Sequence, residues 1–255
     1  MPFTGEEPLK EYLDRLVLRY NTPQFVLNDP VQFPRRFTRR EDVEITALFA
    51  ATLAWGNRKM ILASCERLLA LMEQEPYRFV MSGDWQAVQA EMNIHRTFFG
   101  RDLHYFCRGL QQVYHRYGSM EPLFDAPTVW EGIDTFRHFM AAANEDKCSK
   151  HLSNPGTVCG CGHSSACKRL HMMLRWLCRN DGLVDMGLWS HPLPSQLMIP
   201  LDVHVAATGR SLGLITRRTN DRVTVENLTA ALRCFSPQDP VKYDFALFGA
   251  GIDKA

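Results

Sequence analysis

Two segments decide the fold. They are Cys-Lys-Arg-Leu-His-Met-Met-Leu-Arg-Trp-Leu-Cys-Arg at 167–179 and Ile-Pro-Leu-Asp-Val-His-Val-Ala-Ala-Thr-Gly-Arg-Ser-Leu-Gly at 199–213. In the first segment apolar residues recur at steps of three and four, which is typical of one face of a helix, from Leu170 to Leu177. In the second, Asp202 follows Pro200 by two residues and stands where a helix is expected to begin. Both segments therefore predict helices.

The first of these helices also carries basic residues on another side. Lys168, His171, Arg175 and Arg179 recur at helical spacing, with Lys168 in the first turn. A lysine at the start of one helix and an aspartate at the start of the next would suit covalent chemistry. A surface lysine and an aspartate that only caps its helix fit the same pattern. The residues alone leave both interpretations open.

The remainder of the chain also favours helices. The spacing of apolar residues predicts them at 8–20, 43–55, 59–72, 102–117, 128–143, 202–214, 224–234 and 241–248. Thr38 and Glu41 have the spacing of a capping box at the start of the second, and Gly249 and Gly251 are expected to close the last. No stretch alternates as a strand would, so we predict an all-α protein.

Composition and charge limit the classes of protein to be considered. The chain has 255 residues, 45% of them hydrophobic and 22% charged, and a formal net charge of +1. These values are typical of a globular protein without membrane spans, and the N-terminus lacks the features of a secretory signal. We expect a cytoplasmic protein with no membrane partner. A near-neutral charge argues against non-specific binding of polyanions but permits a local basic surface.

A cysteine-rich segment interrupts the helical pattern. Thiolates and imidazoles are zinc ligands, and the segment offers Cys148, His151, Cys159, Cys161, His163 and Cys167. From these we select the four cysteines and one histidine as candidate metal ligands, namely Cys148, Cys159, Cys161, His163 and Cys167. The alternative is a glycine-rich loop with free thiols. No cofactor other than this structural zinc is expected.

One segment resembles a known superfamily. Pro200-Leu-Asp202-Val-His204-Val, continuing to Gly209-Arg210-x-Leu212-Gly213-Leu214, resembles the part of helix-hairpin-helix DNA glycosylases that carries their catalytic aspartate. Lys168 corresponds to the nucleophilic lysine of the bifunctional members. Lys168 and Asp202 are 34 positions apart, and this spacing looks most like that in the archaeal 8-oxoguanine DNA glycosylases. Residues 45–57 and 240–248 are similar to an early helix and turn and to the terminal helix of that fold.

The whole chain resembles a family of bacterial proteins of unknown function. The shared elements are Ala-Cys-Lys-Arg-Leu at 166–170, Ile-Pro-Leu-Asp-x-His-Val at 199–205 and Asp-Pro-Val-Lys-Tyr-Asp-Phe-Ala-Leu-Phe-Gly at 239–249. Where the glycosylases have hairpin glycines, this chain has Gly160-Cys161-Gly162 followed by His163. The bacterial relatives are shorter at this loop.

The glycosylase resemblance implies a two-lobed helical bundle. One lobe would be a central bundle at 41–200, with a hairpin-like region at 144–179, and the other would combine 1–40 with 201–255. It also implies excision of an oxidised purine such as 8-oxoguanine from DNA, with lyase activity through a Schiff base on Lys168 and with Asp202 ionised beside it. The target nucleotide would have to leave the duplex first.

DNA is the partner that this resemblance implies, and phosphate or base contacts need candidates as well. The basic and polar positions that we select are Arg175, Arg179, Asn57, Arg58, His204, Arg217 and Arg218. Asn57 and Arg58 fit an ordinary turn between two helices equally well. Two other functions remain open, namely a nucleic-acid-binding protein on the same scaffold without catalysis, and an interaction protein stabilised by metal at 148–167.

Overall fold

A computed structural model describes residues 7–156 and 164–253 and is mostly helical. The helices are α1 (Leu9–Tyr20), α2 (Pro23–Leu27), α3 (Arg40–Leu53), α4 (Arg58–Leu71), α5 (Pro76–Ser82), α6 (Gly100–Tyr117), α7 (Val129–Ala142), α8 (Lys168–Cys178), α9 (Val203–Ser211), α10 (Arg222–Phe235) and α11 (Asp244–Ile252). The all-α prediction is confirmed at this level. None of the helices in these two ranges combines the length and the apolar character that crossing a bilayer requires.

A small antiparallel hairpin departs from the all-α prediction. It pairs β1 (Asn93–His95) with β2 (Phe98–Phe99), and Arg96 in the turn has a φ of 51°. Strands of three and two residues are too short to show an alternating pattern in the sequence. Short 3-10 helices complete the described structure at Pro30–Gln32, Pro34–Arg36, Asp84–Ala87, Glu121–Leu123, Pro194–Gln196 and Pro240–Tyr243.

The chain divides into two compact units. The first combines Met1–Phe25 with Asn154–Ala255, and the second is Val26–Ser153. The predicted lobes, 41–200 against 1–40 with 201–255, had other boundaries. Residues after 154 belong with the C-terminal helices because ion pairs join them: Arg175 pairs with Asp244, and Arg179 pairs with Asp239. Apolar spacing could not reveal these long-range pairs.

The second unit is built around α3. Every residue of α3 from Val43 to Leu53 is buried, so this helix packs on all sides. Its Phe49 ring lies 6.5 Å from that of Phe98 and 5.7 Å from that of Phe106. Glu44 is also fully buried, and its carboxylate accepts hydrogen bonds from the Tyr114 hydroxyl and the Met120 amide, in addition to its ion pair with Arg40. The small, apolar side chains predicted the central position of α3 correctly.

The predicted capping box at Thr38 is wrong. Helix α3 begins at Arg40, its N-cap residue is Arg39, and no side chain caps it. Glu41 instead pairs with Arg39 at 3.1 Å. The spacing matched a capping box, but the helix starts one residue later than the box requires. At α7, in contrast, the Thr128 hydroxyl does accept the Glu131 amide at 3.2 Å.

These two threonines allow a matched test of capping. Thr128→Ala is expected to lower the free energy of unfolding by about 1 kcal/mol, because the Glu131 amide loses its acceptor. Thr38→Ala is expected to change it by less than about 0.5 kcal/mol, because Thr38 is exposed and caps no helix. Urea unfolding of both variants measures the difference, and equal losses would contradict the assignment of the caps.

The last helix is longer than predicted. Helix α11 continues through Gly249 and Gly251 to Ile252, although these glycines were expected to end it. A Cβ on Gly249 would lie 2.3 Å from the Tyr20 ring, and one on Gly251 would lie 3.0 Å from His204 Cβ. The glycines therefore let α1 and α9 approach α11 closely. Within the first unit, α11 packs between these two helices.

Candidate functional site

Lys168 and Asp202 lie together in the first unit. Lys168 is the first residue of α8, and its Nζ is 3.9 Å from Oδ2 of Asp202, the N-cap residue of α9. The two side chains keep 27% and 20% of their surface exposed. The separation is that of an ion pair and is longer than a hydrogen bond. The two helix starts that the sequence singled out thus face each other.

The two carboxylate oxygens of Asp202 have different surroundings. Oδ1 accepts the backbone amides of His204 and Val205, each at 2.9 Å. Oδ2 faces Lys168. Asp202 is therefore an N-cap and also the ion-pair partner of Lys168, and covalent chemistry by this pair stays a prediction. The capping bonds orient the carboxylate and so hold Oδ2 towards the amine.

The residue before Lys168 has an unusual backbone conformation. Cys167 is the N-cap of α8 with φ 44° and ψ 35°, in the left-handed region that costs a non-glycine residue energy. Its amide is held by the Ser165 hydroxyl at 3.2 Å, and Ser165 itself forms a β-bridge with Asp221. Such strain persists where the surroundings impose it and is common near functional sites.

The predicted basic face of α8 is corrected by the structure. Arg175 and Arg179 are buried, with only 3% and 5% of their surface exposed to solvent. Arg175 bonds Asp185 and Asp244, and Arg179 bonds Asp181, Asp185 and Asp239. Their guanidinium groups are thus engaged with buried and half-buried carboxylates and do not form a stripe open to phosphates. His171, which was predicted on the same basic side of α8, is buried too, and burial lowers its pKa to about 3.

The loop after α8 brings the carboxylates of Asp181 and Asp185 back to the helix. The Met186 and Trp189 amides donate to the carbonyls of Trp176 and Leu177 at the end of α8. Asp181 Oδ1 accepts three successive amides, those of residues 183–185. Burial raises the pKa of Asp185, and Arg175 and Arg179 offset this only in part. The arginines therefore stabilise a buried cluster that holds more carboxylates than guanidinium groups.

Asp244 is the residue that the sequence did not indicate as part of the site. It is the first residue of α11, its Oδ2 accepts from Arg175, and its Oδ1 is buried without a hydrogen-bond partner among the described residues. The pKa of Asp244 is raised to about 7, and burial is the largest cause. Arg175 and Lys168 oppose this rise, whereas Asp202 adds to it. Asp244 occurs in the quoted element at 239–249, but no spacing in the sequence reveals that it opposes Arg175.

This raised pKa predicts a pH dependence of stability. A carboxylate with a pKa of 3.8 when unfolded and about 7 when folded is protonated more readily in the folded state, so its contribution to stability is lost as pH rises from about 4 to 7. In Asp244→Asn the side chain at this position is an amide, which does not take up or release a proton over this pH interval. We expect the stability of the variant, relative to wild type, to increase over this interval. Urea unfolding at several pH values measures it, and a constant difference would contradict the raised pKa.

The other candidate contacts in the first unit are one half-buried histidine and two exposed arginines. His204 is half-buried, with its ring 6.2 Å from that of Phe248. Arg217 is exposed and pairs with Asp221. Arg218 is exposed, and its carbonyl accepts from Arg210 at 2.9 Å, a bond that shapes the loop on which it lies. The structure thus leaves Arg217 and Arg218 accessible to an anion.

Asn57 and Arg58 belong to the second unit and form the start of α4. Asn57 Oδ1 accepts the Met60 amide at 3.4 Å, so this side chain caps the helix. Arg58 is half-buried and has an interaction partner. The preceding Gly56 has a φ of 102°, as the turn between α3 and α4 requires. These features fit the turn interpretation, and a ligand role for the two residues stays a prediction.

The candidate metal ligands are described only in part. Cys159, Cys161 and His163 lie outside the described residues. Cys148 is exposed in the second unit, and Cys167 is buried in the first. His151 belongs to an aromatic cluster, with its ring 5.6 Å from Trp55 and 5.0 Å from Phe98. Within residues 7–156 and 164–253 no three His, Cys, Asp or Glu side chains are arranged to hold a metal ion, and the zinc site stays a prediction.

Comparison with known proteins places the chain in a family. Residues 29–253 match the family described as "Protein of unknown function (DUF2400)", and the chain belongs to this family. The matched range contains Lys168, Asp202 and Asp244. No curated protein and no solved structure matched the chain. The predicted membership of an uncharacterised family is confirmed, whereas the more distant glycosylase resemblance stays a prediction.

Proposed function

We propose that this protein is a DNA base-excision glycosylase with lyase activity, and that it acts on an oxidised purine such as 8-oxoguanine. The observation that carries the proposal is the contact between Lys168 Nζ and Asp202 Oδ2 at the starts of α8 and α9. A primary amine beside an oriented carboxylate is the arrangement that covalent catalysis by a lysine needs. The resemblance of residues 200–214 to the aspartate segment of helix-hairpin-helix glycosylases supports the choice of substrate.

The chemistry begins with the amine of Lys168. Only a neutral amine attacks carbon, so Asp202 accepts a proton from it. The amine then bonds to the anomeric carbon of the extruded nucleotide as the bond from that carbon to the base breaks, and the electron pair leaves with the base, which takes up the proton that Asp202 holds. Asp202 is then ionised again, and its carboxylate stabilises the positive charge on the sugar and its attached amine. Opening of the sugar ring gives a Schiff base, from which elimination cleaves the strand.

The phosphate contacts of the proposal differ from those first selected. Arg175 and Arg179 are left out, because each bonds two or more carboxylates in the interior of the unit. Arg217 and Arg218 are retained, because both are exposed on the loop before α10. His204 is retained as well, since it follows Asp202 by two residues and is half-buried.

The test is borohydride trapping. Wild-type protein is incubated with duplex DNA that contains 8-oxoguanine or an abasic site, and borohydride then reduces any Schiff base to a stable amine that joins protein to DNA. We expect a covalent band from wild type and none from Lys168→Gln. Lys242→Gln is the matched control, because Lys242 lies in the same unit and pairs with Asp14 instead. It should trap DNA as wild type does.

The absence of a band from wild type on both DNAs would contradict the lyase mechanism. A gel-shift assay on the same samples then separates the remaining alternatives. Binding without trapping would favour a nucleic-acid-binding protein on the same scaffold. If neither occurs, metal analysis of the purified protein decides whether the cysteine-rich segment is the working part.

A further inference from the structure

We propose that the second unit contains a binding site for a small polar carboxylic acid, in a cleft between α6 and the 3-10 helix at Asp84–Ala87. The cleft is open to solvent and has a volume of about 490 Å³, which lies in the range of sites that hold small molecules. The described side chains that line it are Trp85, Gln86, His104, Arg108, Gln111 and Gln112. All of them belong to the second unit, so the inference does not depend on the glycosylase proposal.

Helix α6 supplies one polar side of the cleft. Its lining residues follow one another at steps that keep them on the same face of the helix, and they are His104, Arg108, Gln111 and Gln112. Gln111 holds this face against α5, because its amide donates to the carbonyls of Val80 and Met81 at 3.4 and 3.2 Å. The polar side of the cleft is therefore fixed by the packing of two helices.

Trp85 is the buried member of the cleft. Its Nε1 donates to the Val80 carbonyl at 3.1 Å. The centroid of its ring lies 5.7 Å from that of His104 and 5.7 Å from the guanidinium carbon of Arg108. Because Trp85 is only 3% exposed, it leaves no ring face on which a ligand could stack. This favours a non-aromatic ligand that is recognised by its polar groups.

Arg108 is held in place and keeps hydrogen-bond donors for a ligand. Its Nη1 donates to Asn144 Oδ1 at 3.0 Å. The Asn144 amide is itself fixed by the carbonyls of Tyr105 and Met140, at 3.0 and 2.8 Å. Among the described residues, no carboxylate lies within ion-pair distance of Arg108, and its Nε and Nη2 make no hydrogen bond. An arginine with two such neighbouring donors can bind a carboxylate through a pair of hydrogen bonds.

The other polar groups of the cleft suit the hydroxyl or amino groups of a ligand. Gln86 and Gln112 are exposed, and their side-chain amides make no hydrogen bond to the described residues. Each amide offers one acceptor oxygen and donor hydrogens. His104 Nε2 donates to the Val88 carbonyl at 2.8 Å, so Nδ1 of the neutral ring is an acceptor. The cleft thus combines one cation with several uncharged groups that can donate or accept.

The charges around the cleft favour a carboxylate over a phosphate. No acidic residue is among the described side chains that line it. Asp84, which precedes Trp85, pairs with Arg78 at 3.3 Å, and Glu145 pairs with Lys147 at 2.6 Å. A monocarboxylate therefore meets a single opposite charge, that of Arg108. A phosphate monoester carries nearly two negative charges at neutral pH, and one of them would be left unopposed.

The test is an NMR titration of the full chain with sodium gluconate, which joins a carboxylate to a chain of hydroxyl groups. The indole signal of Trp85 and the Nε signal of Arg108 are followed in nitrogen-15-labelled protein at constant ionic strength. We expect saturable shifts with gluconate and none with sorbitol, which has the hydroxyl groups but no charge. The absence of saturable shifts with gluconate, equal shifts with sorbitol, or tighter binding of glucose 6-phosphate would each overturn the proposal.

Arg108→Gln tests the carboxylate contact. We expect gluconate binding, followed at the Trp85 indole, to weaken by about tenfold or more, because the charge and the pair of donors are lost. Arg116→Gln is the matched control. Arg116 is exposed two turns further along α6, lies over the Tyr117 ring and does not line the cleft. It should bind gluconate as wild type does, and equal losses in the two variants would contradict a specific site.

Gln112→Glu tests the same site without changing Arg108. The side chain of Gln112 is exposed and makes no hydrogen bond to the described residues, so we expect the variant to fold. The added carboxylate repels the ligand and competes for Arg108, which should weaken gluconate binding by about fivefold. Unchanged binding by this variant would overturn the proposal even if Arg108→Gln fails to fold.

Discussion

Asp202→Asn is expected to slow base excision by about 10²- to 10⁴-fold while α9 remains folded. The asparagine carbonyl oxygen can accept the His204 and Val205 amides as Oδ1 of Asp202 does, and asparagine is as good an N-cap as aspartate. The substitution therefore removes the charge that faces Lys168 and retains the cap. Single-turnover release of the base measures the rate, and circular dichroism with urea unfolding measures the fold.

The matched control for this substitution is Asp29→Asn. Asp29 is also an N-cap, and its side chain accepts the Val31 amide at 3.1 Å, but it lies in the second unit. We expect its excision rate to equal that of wild type. If Asp202→Asn retains the wild-type rate as well, Asp202 only caps α9, and the proposed mechanism loses its base. Loss of stability in Asp202→Asn equal to that of Asp202→Ala would contradict the capping argument.

Arg179→Met is expected to lower the free energy of unfolding by about 3–5 kcal/mol. Arg179 bonds Asp181, Asp185 and Asp239. Burial lowers the pKa of its guanidinium group, but Asp185 and Asp239 raise it by more, so the charge persists in the interior. Methionine fills much of the same volume, but among the described residues it leaves Asp185 with Arg175 as its one ion-pair partner. Urea unfolding monitored by circular dichroism measures the loss.

Arg36→Met serves as the control for Arg179→Met. Arg36 pairs with Glu66 at 2.9 Å, and the two side chains are 38% and 54% exposed. Exposed pairs contribute little, so we expect a loss of about 1 kcal/mol or less. The same chemical change is thus compared at a buried arginine with three carboxylate partners and at an exposed arginine paired with Glu66. A small loss for Arg179→Met would show that Asp181, Asp185 and Asp239 relax to reach water.

The sequence by itself determined the helical class and most helix positions. Apolar residues at steps of three and four predicted helices that the structure confirms, among them α6 and α8, because this spacing reflects which residues share one face. It failed at helix ends. The Thr38 box was wrong because α3 takes Arg39, and not Thr38, as its N-cap residue. Helix α11 passes Gly249 because tight packing against Tyr20 needs a glycine inside the helix.

For the candidate site, the sequence singled out Lys168 and Asp202, because each stands at a helix start, a position with its own residue preferences. Whether they meet depends on how α8 and α9 pack, and only the tertiary structure decided this. It also decided that Arg175 is buried against Asp244 instead of facing solvent. Periodicity shows which residues share a face of a helix, but the partner of that face comes from distant parts of the chain, and its charge decides whether an arginine binds a ligand or stabilises the core.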